Sequence, residues 1–225
     1  MVQAVRLTGT VAELHARDPF ADGAVEEPAV WWCDFTDAAI VLGSSQRDDV
    51  LDRAAVDAAG LSVVRRRSGG GAVLLVPGSV VWVDLVVPAG TWPDDVRGSM
   101  VAAGEAWRDA LGAAGVADPA TLAVHDGGMV TSAWSTTVCF AGVGPGEVLD
   151  ASATPPRKLV GLSQRRGRHG ARIQGQLHTA ALVAGTAQLI AVGRRPPGAP
   201  AEAAVSAGAD PGALAAALAA RITTM

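Results

Sequence analysis

The sequence predicts a folded chain that contains both β-strands and α-helices around one core. Hydrophobic residues make up 49% and charged residues 18% of the 225 positions, a balance typical of globular proteins and not of disordered ones. Short runs rich in β-branched residues, bounded by Gly, Pro, Ser or Asp, indicate strands. Segments with apolar residues at helical spacing indicate helices. The length fits one large domain or two small ones, and we expect one core.

The strands are predicted in two groups and the helices in three places. The first strand group is AAIVLG (38–43), LSVVRRR (61–67), GGAVLLV (70–76) and SVVWVDLVVP (79–88). The second is STTVCFAG (135–142), GEVLD (146–150), RKLVGLSQRR (157–166) and GARIQGQLH (170–178). Helices are predicted within 48–60 and 93–115, each with a glycine at its end, and as a short capped helix after Asp210 and Pro211.

Charge and cysteine content exclude several classes of protein. The formal net charge of −4 does not favour nucleic acid or an anionic membrane as a partner. Two cysteines, Cys33 and Cys139, form neither a disulfide scaffold nor a metal site, so we expect no bound metal. The N-terminus lacks the features of a signal peptide, and the longest apolar stretch contains Asp84 and prolines, so we expect a cytoplasmic protein with no membrane partner.

Positive charge is concentrated in two clusters of an otherwise acidic chain. The first is Arg65 to Arg67; the second consists of Arg157, Lys158, Arg165, Arg166, Arg168 and Arg172. Such clusters suit a small anionic ligand or an acidic protein partner. A solvated basic surface is the alternative, and the sequence does not decide between them.

The stretch RRRSGGGAV (65–73) holds three consecutive glycines between two predicted strands. Glycines there cost backbone entropy and bury no side chain, so they indicate a backbone requirement. The amide groups of such a loop can surround phosphate or carbonyl oxygens, with arginines nearby. The loop has neither the Lys-Ser/Thr of a P-loop nor a following G-x-G-x-x-G helix, so neither of those nucleotide folds is supported. A tight hairpin without a ligand remains the alternative.

Two further residues are candidates for chemistry. Lys158 is the only lysine, the other 17 basic positions being arginine; genomic codon bias could explain this, but a lysine also provides a compact ammonium that arginine does not. Cys139, in VCFAGVGPGEVL (138–149), is either a packing residue or a nucleophile whose thiolate a nearby cation would favour. For Cys33, after two tryptophans, we expect a packing role.

Three motifs together resemble the biotin/lipoate A/B protein ligase superfamily, which includes lipoate-protein ligase A and the cysteine-dependent octanoyltransferases. They are VLGSSQ (41–46), RRRSGGGAV (65–73), and RKLVGLSQRR (157–166) followed by GARIQGQLH (170–178). The resemblance runs from about residue 30 to 185. It implies an α+β fold, a mixed, largely antiparallel central sheet flanked by helices, related to class II aminoacyl-tRNA synthetases.

The resemblance also implies a role for particular residues. Lys158 and Cys139 would be catalytic, with Lys158 contacting the activated carbonyl. The substrate-binding residues would be Gln46, Arg66, Ser68, Gly69, Gly70, Gly71, Ala72, Val73, Gly161 and Gly175. No permanently bound cofactor is implied; ATP and Mg would be substrates if the protein is a ligase.

The sequence departs from the family pattern in three places. LLVPGS (74–79) stands where the ligases carry His-Asp-x-Gly, which leaves an apolar wall. VCFAGVGPGEVL stands where lipoate ligases have Arg-Asn-Asp and is closer to the Cys-Phe of the octanoyltransferases. Gln174 stands for the histidine before Gly175. We expect residues 1–225 to form a single catalytic domain, with residues 193–225 as a C-terminal tail or cap and no full accessory domain.

The function implied is attachment of a lipoyl or octanoyl group to one lysine of a carrier protein, either a lipoyl domain or the glycine cleavage carrier. In one route Cys139 takes the acyl group from acyl carrier protein, while Lys158 and the loop amides stabilise the oxyanion. In the other, lipoate and ATP give lipoyl-adenylate, whose phosphate Arg66 and Lys158 hold. A non-catalytic homologue that binds an acyl group or lipoate is a third hypothesis.

Overall fold

The computed structural model describes residues 2–23 and 25–224. In chain order the strands are β1 (Ala4–Gly9), β2 (Ala29–Phe35), β3 (Ala39–Leu42), β4 (Ser62–Arg65), β5 (Val73–Leu75), β6 (Val80–Pro88), β7 (Leu122–Val124), β8 (Val148–Asp150), β9 (Arg157–Gly167) and β10 (Gly170–His178). The α-helices are α1 (Val11–Ala16), α2 (Arg53–Ala58), α3 (Val96–Ala113), α4 (Val183–Gln188) and α5 (Pro211–Ile222).

Seven of these strands form one sheet and three form another. The large sheet has the order β1-β2-β6-β10-β9-β8-β7, and within it only β1 and β2 are parallel. The small sheet has the order β4-β3-β5, with β3 parallel to β4 and antiparallel to β5. The predicted class, a mixed and largely antiparallel sheet flanked by helices, is confirmed.

Helices α3 and α5 cover one face of the large sheet. Each begins at an aspartate whose carboxylate accepts a backbone N–H of the first turn: Asp95 from Gly98 and Asp210 from Ala213. The two helices pack against each other, and Trp107 of α3 is fully buried in the cluster between helices and sheet. A second apolar cluster joins the small sheet to the rest of the chain. The long central strands β6 and β10 are buried along their whole lengths.

Two predicted elements differ from the structure. The segment 135–142 is not a strand; it forms turns and a 3₁₀ helix at Cys139–Ala141, because the Ser132 and Ser135 side chains bond to nearby backbone groups and compete with strand pairing. The predicted helix within 48–60 is interrupted, since Leu51 forms an antiparallel bridge with Ile190 and α2 begins only after the capping residue Asp52.

The C-terminal segment returns to the site-bearing strands before it forms α5. The Ala204 N–H donates to the Lys158 carbonyl at 2.8 Å, and the Ser206 N–H donates to the His178 carbonyl at 3.0 Å. Helix α5 then packs on α3 and β2. In the part of the chain that the structure describes, no helix combines the length and the apolar character needed to cross a bilayer.

Candidate active site

The glycine-rich loop, the Cys139 turn, the start of α3 and one face of β9 enclose a groove of about 450 Å³. Gly69, Gly70 and Gly71 form one wall, and Cys139 and Lys158 lie along it. These five residues, separated by up to 89 positions in the sequence, were all predicted as site residues. Apolar side chains complete the walls: Val96, Met100 and Met129 come from outside the three motifs, and Leu162 comes from the last of them.

The loop can approach its neighbours closely because it has no side chains. A Cβ on Gly71 would lie 2.7 Å from the Cys139 backbone nitrogen, so the loop and the cysteine turn are in direct backbone contact. Gly70 has a φ of +103°, which an L side chain rarely adopts. Among the described residues, the amide N–H groups of Gly69 and Gly70 donate no backbone hydrogen bond, and both residues are exposed at the groove. They are therefore available to bind a ligand oxygen.

Arg66 lies beneath the loop and is 4% exposed. Its guanidinium donates to the carbonyls of Gly69 (2.8 Å) and Gly71 (2.9 Å), and it approaches Cys139 Sγ at 3.7 Å. Within residues 2–23 and 25–224, no carboxylate pairs with it. A buried cation without a carboxylate partner therefore lies next to the Cys139 sulfur.

The predicted cluster Arg65 to Arg67 does not converge on one ligand. Arg65 turns to Asp48, at 2.5 Å, while Arg67 turns the other way to Asp18, also at 2.5 Å. Only Arg66 reaches the loop. Only Arg65 belongs to β4; Arg66 and Arg67 lie in the loop that follows it, so strand geometry does not align the three side chains.

Lys158 is buried and paired. Its Nζ lies 2.7 Å from the Glu147 carboxylate and donates to the Cys139 carbonyl at 3.1 Å. Glu147 also accepts from the N–H groups of Gly144 (2.7 Å) and Leu162 (3.1 Å). An ammonium has three donors, so one N–H of Lys158 remains for a ligand in the groove. The lysine is thus held beside the cysteine turn by a carboxylate that the motifs did not predict.

Seven predicted binding residues do not line the groove: Arg66, described above, and Gln46, Ser68, Ala72, Val73, Gly161 and Gly175. Gln46 accepts from the Gly43 N–H and donates to the carbonyls of Thr136 and Thr137, so it supports the segment before Cys139 and does not line the groove. Ala72 and Val73 are buried in the core.

The remaining predicted glycines provide space for aromatic rings. At Gly161 the Phe140 ring lies 2.7 Å from where a Cβ would be, and at Gly175 the Trp107 ring lies 2.5 Å away. Gly161 still borders a small cavity behind Cys139, whereas Gly175 lies under α3. Ser68 lies below the loop and donates to Gln174 at 2.9 Å. These residues support the site rather than line the groove.

Sequence reasoning missed two buried titratable residues near the lysine. Glu147 has no motif of its own, and only its position in a turn eleven residues before Lys158 could have indicated it. His178, at the end of β10, stacks on Phe140 with ring centroids 3.9 Å apart. Burial, and secondarily the Lys158 charge, lower the pKa of His178 to about 4, so the imidazole is neutral at physiological pH.

The two cysteines lie in different surroundings. Cys33 is 2% exposed, and burial together with the nearby Asp84 carboxylate raises the pKa of its thiol well above the usual value. Cys139 is partly exposed at the groove. In the described residues, no group of three or more His, Cys, Asp or Glu side chains could hold a metal ion.

Comparison with solved structures gives the same fold. The protein Ta0514 of T. acidophilum with bound lipoic acid superposes with a TM-score of 0.70 at 13% identity, over 99% of this chain and 84% of that one. A lipoate-protein ligase A bound with ATP gives 0.72 at 13% identity, over 99% and 83%. A bipartite lipoate protein ligase of Thermoplasma acidophilum, studied with its E2 lipoyl domain, gives 0.61 at 15% identity, over 85% and 66%.

At the level of sequence, no curated protein matches significantly. A family match is nevertheless found, and it spans residues 20–192, which include both strand groups, the glycine-rich loop, Cys139 and Lys158. The resemblance inferred from the three motifs is therefore confirmed, and the chain belongs to the family of lipoyl protein ligase A/B catalytic domains.

Proposed function

We propose that the protein is an acyltransferase that carries a lipoyl or octanoyl group on Cys139 and transfers it to a lysine of a carrier protein. The observation that supports this most directly is the position of Cys139 Sγ, at the groove and 3.7 Å from the buried guanidinium of Arg66. Cysteine is an intrinsically strong nucleophile, and the Arg66 guanidinium can donate to its sulfur. The apolar walls suit a saturated acyl chain.

The reaction has two steps. The Cys139 thiolate attacks the carbonyl of an acyl thioester on acyl carrier protein; a new C–S bond forms, the C–S bond to the carrier breaks, and the carrier leaves as a thiolate. The acceptor lysine amine then attacks the acyl-cysteine; a C–N bond forms, the C–S bond to Cys139 breaks, and one amine proton passes to water as the Cys139 thiolate is regenerated. In both steps the amides of Gly69 and Gly70 and the free N–H of Lys158 stabilise the oxyanion.

The ATP-dependent route is the second candidate, because the structurally similar lipoate-protein ligase A was solved with ATP bound. It would need cations for the phosphates of ATP and of lipoyl-adenylate. Nε and Nη2 of Arg66 donate to the carbonyls of Gly69 and Gly71, and the charge of Lys158 is balanced by Glu147. The pairing of Lys158 leaves one fewer free cation for phosphate groups and so favours the thioester route.

The partners proposed here follow the similar structures. Ta0514 was solved with lipoic acid, and the bipartite ligase was studied with an E2 lipoyl domain. For this chain we propose a lipoyl domain or the glycine cleavage carrier as the acceptor and acyl carrier protein as the donor.

Intact mass spectrometry tests the two routes. The purified protein is mixed with octanoyl acyl carrier protein, and separately with lipoate, ATP and Mg, each with and without a lipoyl domain. We expect an octanoyl adduct that hydroxylamine removes, that is absent in Cys139→Ser and that is present in the matched control Cys33→Ser. Acceptor modification only with ATP, unchanged in Cys139→Ser, would make the protein a ligase and Cys139 a packing residue.

A Lys158→Arg variant tests the second catalytic residue. The guanidinium is larger and planar and does not reproduce the contact of a compact ammonium with both Glu147 and the Cys139 carbonyl. We expect transfer to fall by at least about tenfold in a variant that stays folded. Full activity would remove Lys158 from the mechanism, and tight lipoate binding with no transfer in the unsubstituted protein would favour a non-catalytic binder.

A further inference from the structure

A second cavity, of about 260 Å³, lies at the opposite end of β9 from Lys158. It is bounded by the connection from α1 to β2, by Arg67 and by the β9–β10 turn. It shares no lining residue with the groove that contains Cys139. The acyl transfer proposed above leaves this cavity without a role.

The rim of the cavity is strongly basic. Four exposed arginines line it: Arg17, Arg67, Arg165 and Arg168. Arg67 is paired with Asp18, but among the described residues no carboxylate lies within 4.0 Å of the other three guanidinium groups. Asp18 is a carboxylate on the same rim, so three of the four arginines remain without a counter-charge in the described part of the chain, and an anion bound in the cavity would supply one. Part of the second basic cluster of the sequence thus gathers around one concave surface.

The floor of the cavity is buried and polar. His15, Arg172 and Gln174 line it and are 4%, 5% and 6% exposed. Arg172 is held by Asp84 at 2.5 Å. Burial, followed by the charges of Arg172 and Arg66, lowers the pKa of His15 to about 3, so this imidazole is neutral.

The hydrogen bonds of Gln174 determine the tautomer of His15. Gln174 Oε1 accepts from Ser68, so the Gln174 amide nitrogen is the atom 3.2 Å from His15 Nδ1, and an amide nitrogen can only donate. His15 Nδ1 is therefore the acceptor and Nε2 carries the proton. That buried N–H has no partner in residues 2–23 and 25–224. A buried donor without a partner is costly, and a ligand acceptor would satisfy it.

We infer that this cavity is a second binding site, for a small molecule that carries a carboxylate or phosphate group. The anionic group lies between Arg17 and Arg165, and an acceptor atom of the ligand takes the Nε2 proton of His15. The inference goes beyond the proposed function and does not depend on Cys139. Two sources of the anion are compatible with it: a free small anion, or the distal carboxylate of an acyl group held on Cys139.

The second source has a structural basis. His15 and Gln174 also line a narrow cavity of about 20 Å³ that borders Cys139. This volume is that of about one water molecule, so only a thin chain could pass from the thiol to the basic cavity. An apolar chain end would desolvate the buried polar groups of His15 and Gln174, which is unfavourable.

Isothermal titration calorimetry of the whole protein at 0.15 M salt, with inorganic phosphate and separately with octanedioate, tests the site. The variant Arg17→Gln/Arg165→Gln removes two exposed cations from the rim, and Arg47→Gln/Arg53→Gln removes two exposed cations elsewhere as the matched control. We expect saturable binding of at least one probe, weakened about tenfold or more in the first variant and unchanged in the control. His15→Phe, which keeps the ring beside Trp82, should weaken it about fivefold. No saturable binding of either probe, or equal loss in both double variants, would overturn the inference.

Acylation rates then separate the two sources. If octanedioyl thioester acylates Cys139 faster than octanoyl thioester, and the rim variant loses that preference, the anion is the distal end of the acyl group. If phosphate binds but the rates are equal, the site takes a free anion. Phosphate binding needs no reaction at Cys139, so failure of the proposed function would leave this test intact.

Discussion

Substitution of Glu147 by Gln should strongly destabilise the protein through Lys158. The two charges are 2.7 Å apart, and their side chains are 5% and 3% exposed. The variant leaves the Lys158 ammonium buried without a counter-charge. The amide nitrogen of the new glutamine would also face a group that itself donates a hydrogen bond: the N–H of Leu162, the N–H of Gly144 or the ammonium. Breaking one partner of a buried pair typically costs about 3–5 kcal/mol of unfolding free energy. That is a large share of the roughly 5–15 kcal/mol of an ordinary domain.

Urea unfolding followed by circular dichroism measures this cost in Glu147→Gln, Lys158→Met and the double variant. Because the double variant contains no unpaired charge, we expect its loss to resemble that of one single variant, about 3 kcal/mol, instead of their sum. The exposed pair Arg53–Asp57 is the control, and Asp57→Asn should change stability by no more than the experimental error. Strictly additive losses, or a loss below about 1 kcal/mol in Glu147→Gln, would refute the reasoning.

Three other properties are predicted. Gly161→Ala should lower the free energy of unfolding by about 1–3 kcal/mol, because its Cβ would be 2.7 Å from an aromatic ring. Gly167 has open space around it, so Gly167→Ala should not have this effect. Equal stability of the two variants in thermal unfolding would contradict the packing at Gly161. Because the pKa of His178 is lowered from 6.5 to about 4 in the folded protein, its neutral form contributes unfolding free energy above pH 6.5 that is lost as the pH falls toward 4. Between pH 7 and pH 5, urea titrations should show an unfolding free energy that falls by about 2 kcal/mol less in His178→Phe than in the unsubstituted protein. Identical pH profiles of the two proteins would contradict this. Iodoacetamide should modify Cys139, which is partly exposed, and spare Cys33, which is buried, in the native protein. Peptide masses would report which cysteine is modified, and faster modification of Cys33 would contradict an open groove at Cys139.

The fold was predictable where the pattern is periodic and long. β6 and β10, and the helix from Val96 to Ala113, coincide with apolar runs whose length and flanking residues indicate one element. The segment around Cys139 was predicted wrongly because its β-branched residues favour a strand. Serine side chains that bond to the backbone outweigh that propensity, and only the folded chain shows which backbone groups they reach.

The site was predictable where the motif residue itself meets the groove. Gly69 to Gly71, Cys139 and Lys158 come together as the motifs imply. The role of Gly161 was not predictable, because its open side is filled by a ring that comes from another segment. Glu147 was missed for the same reason: a single carboxylate carries no local pattern, and its importance arises from the lysine that pairing across the sheet brings to it.

The β-bridge between Ala72 and Val138 connects the glycine-rich loop directly to the segment that carries Cys139. The Ala72 N–H donates to the Thr137 carbonyl at 2.7 Å, and the Cys139 N–H donates to the Ala72 carbonyl at 2.9 Å. A ligand bound at the glycines would therefore also restrain the turn that carries the sulfur. The rate at which Cys139 is labelled would then change with occupancy of the groove, which gives a way to measure ligand binding without following the reaction.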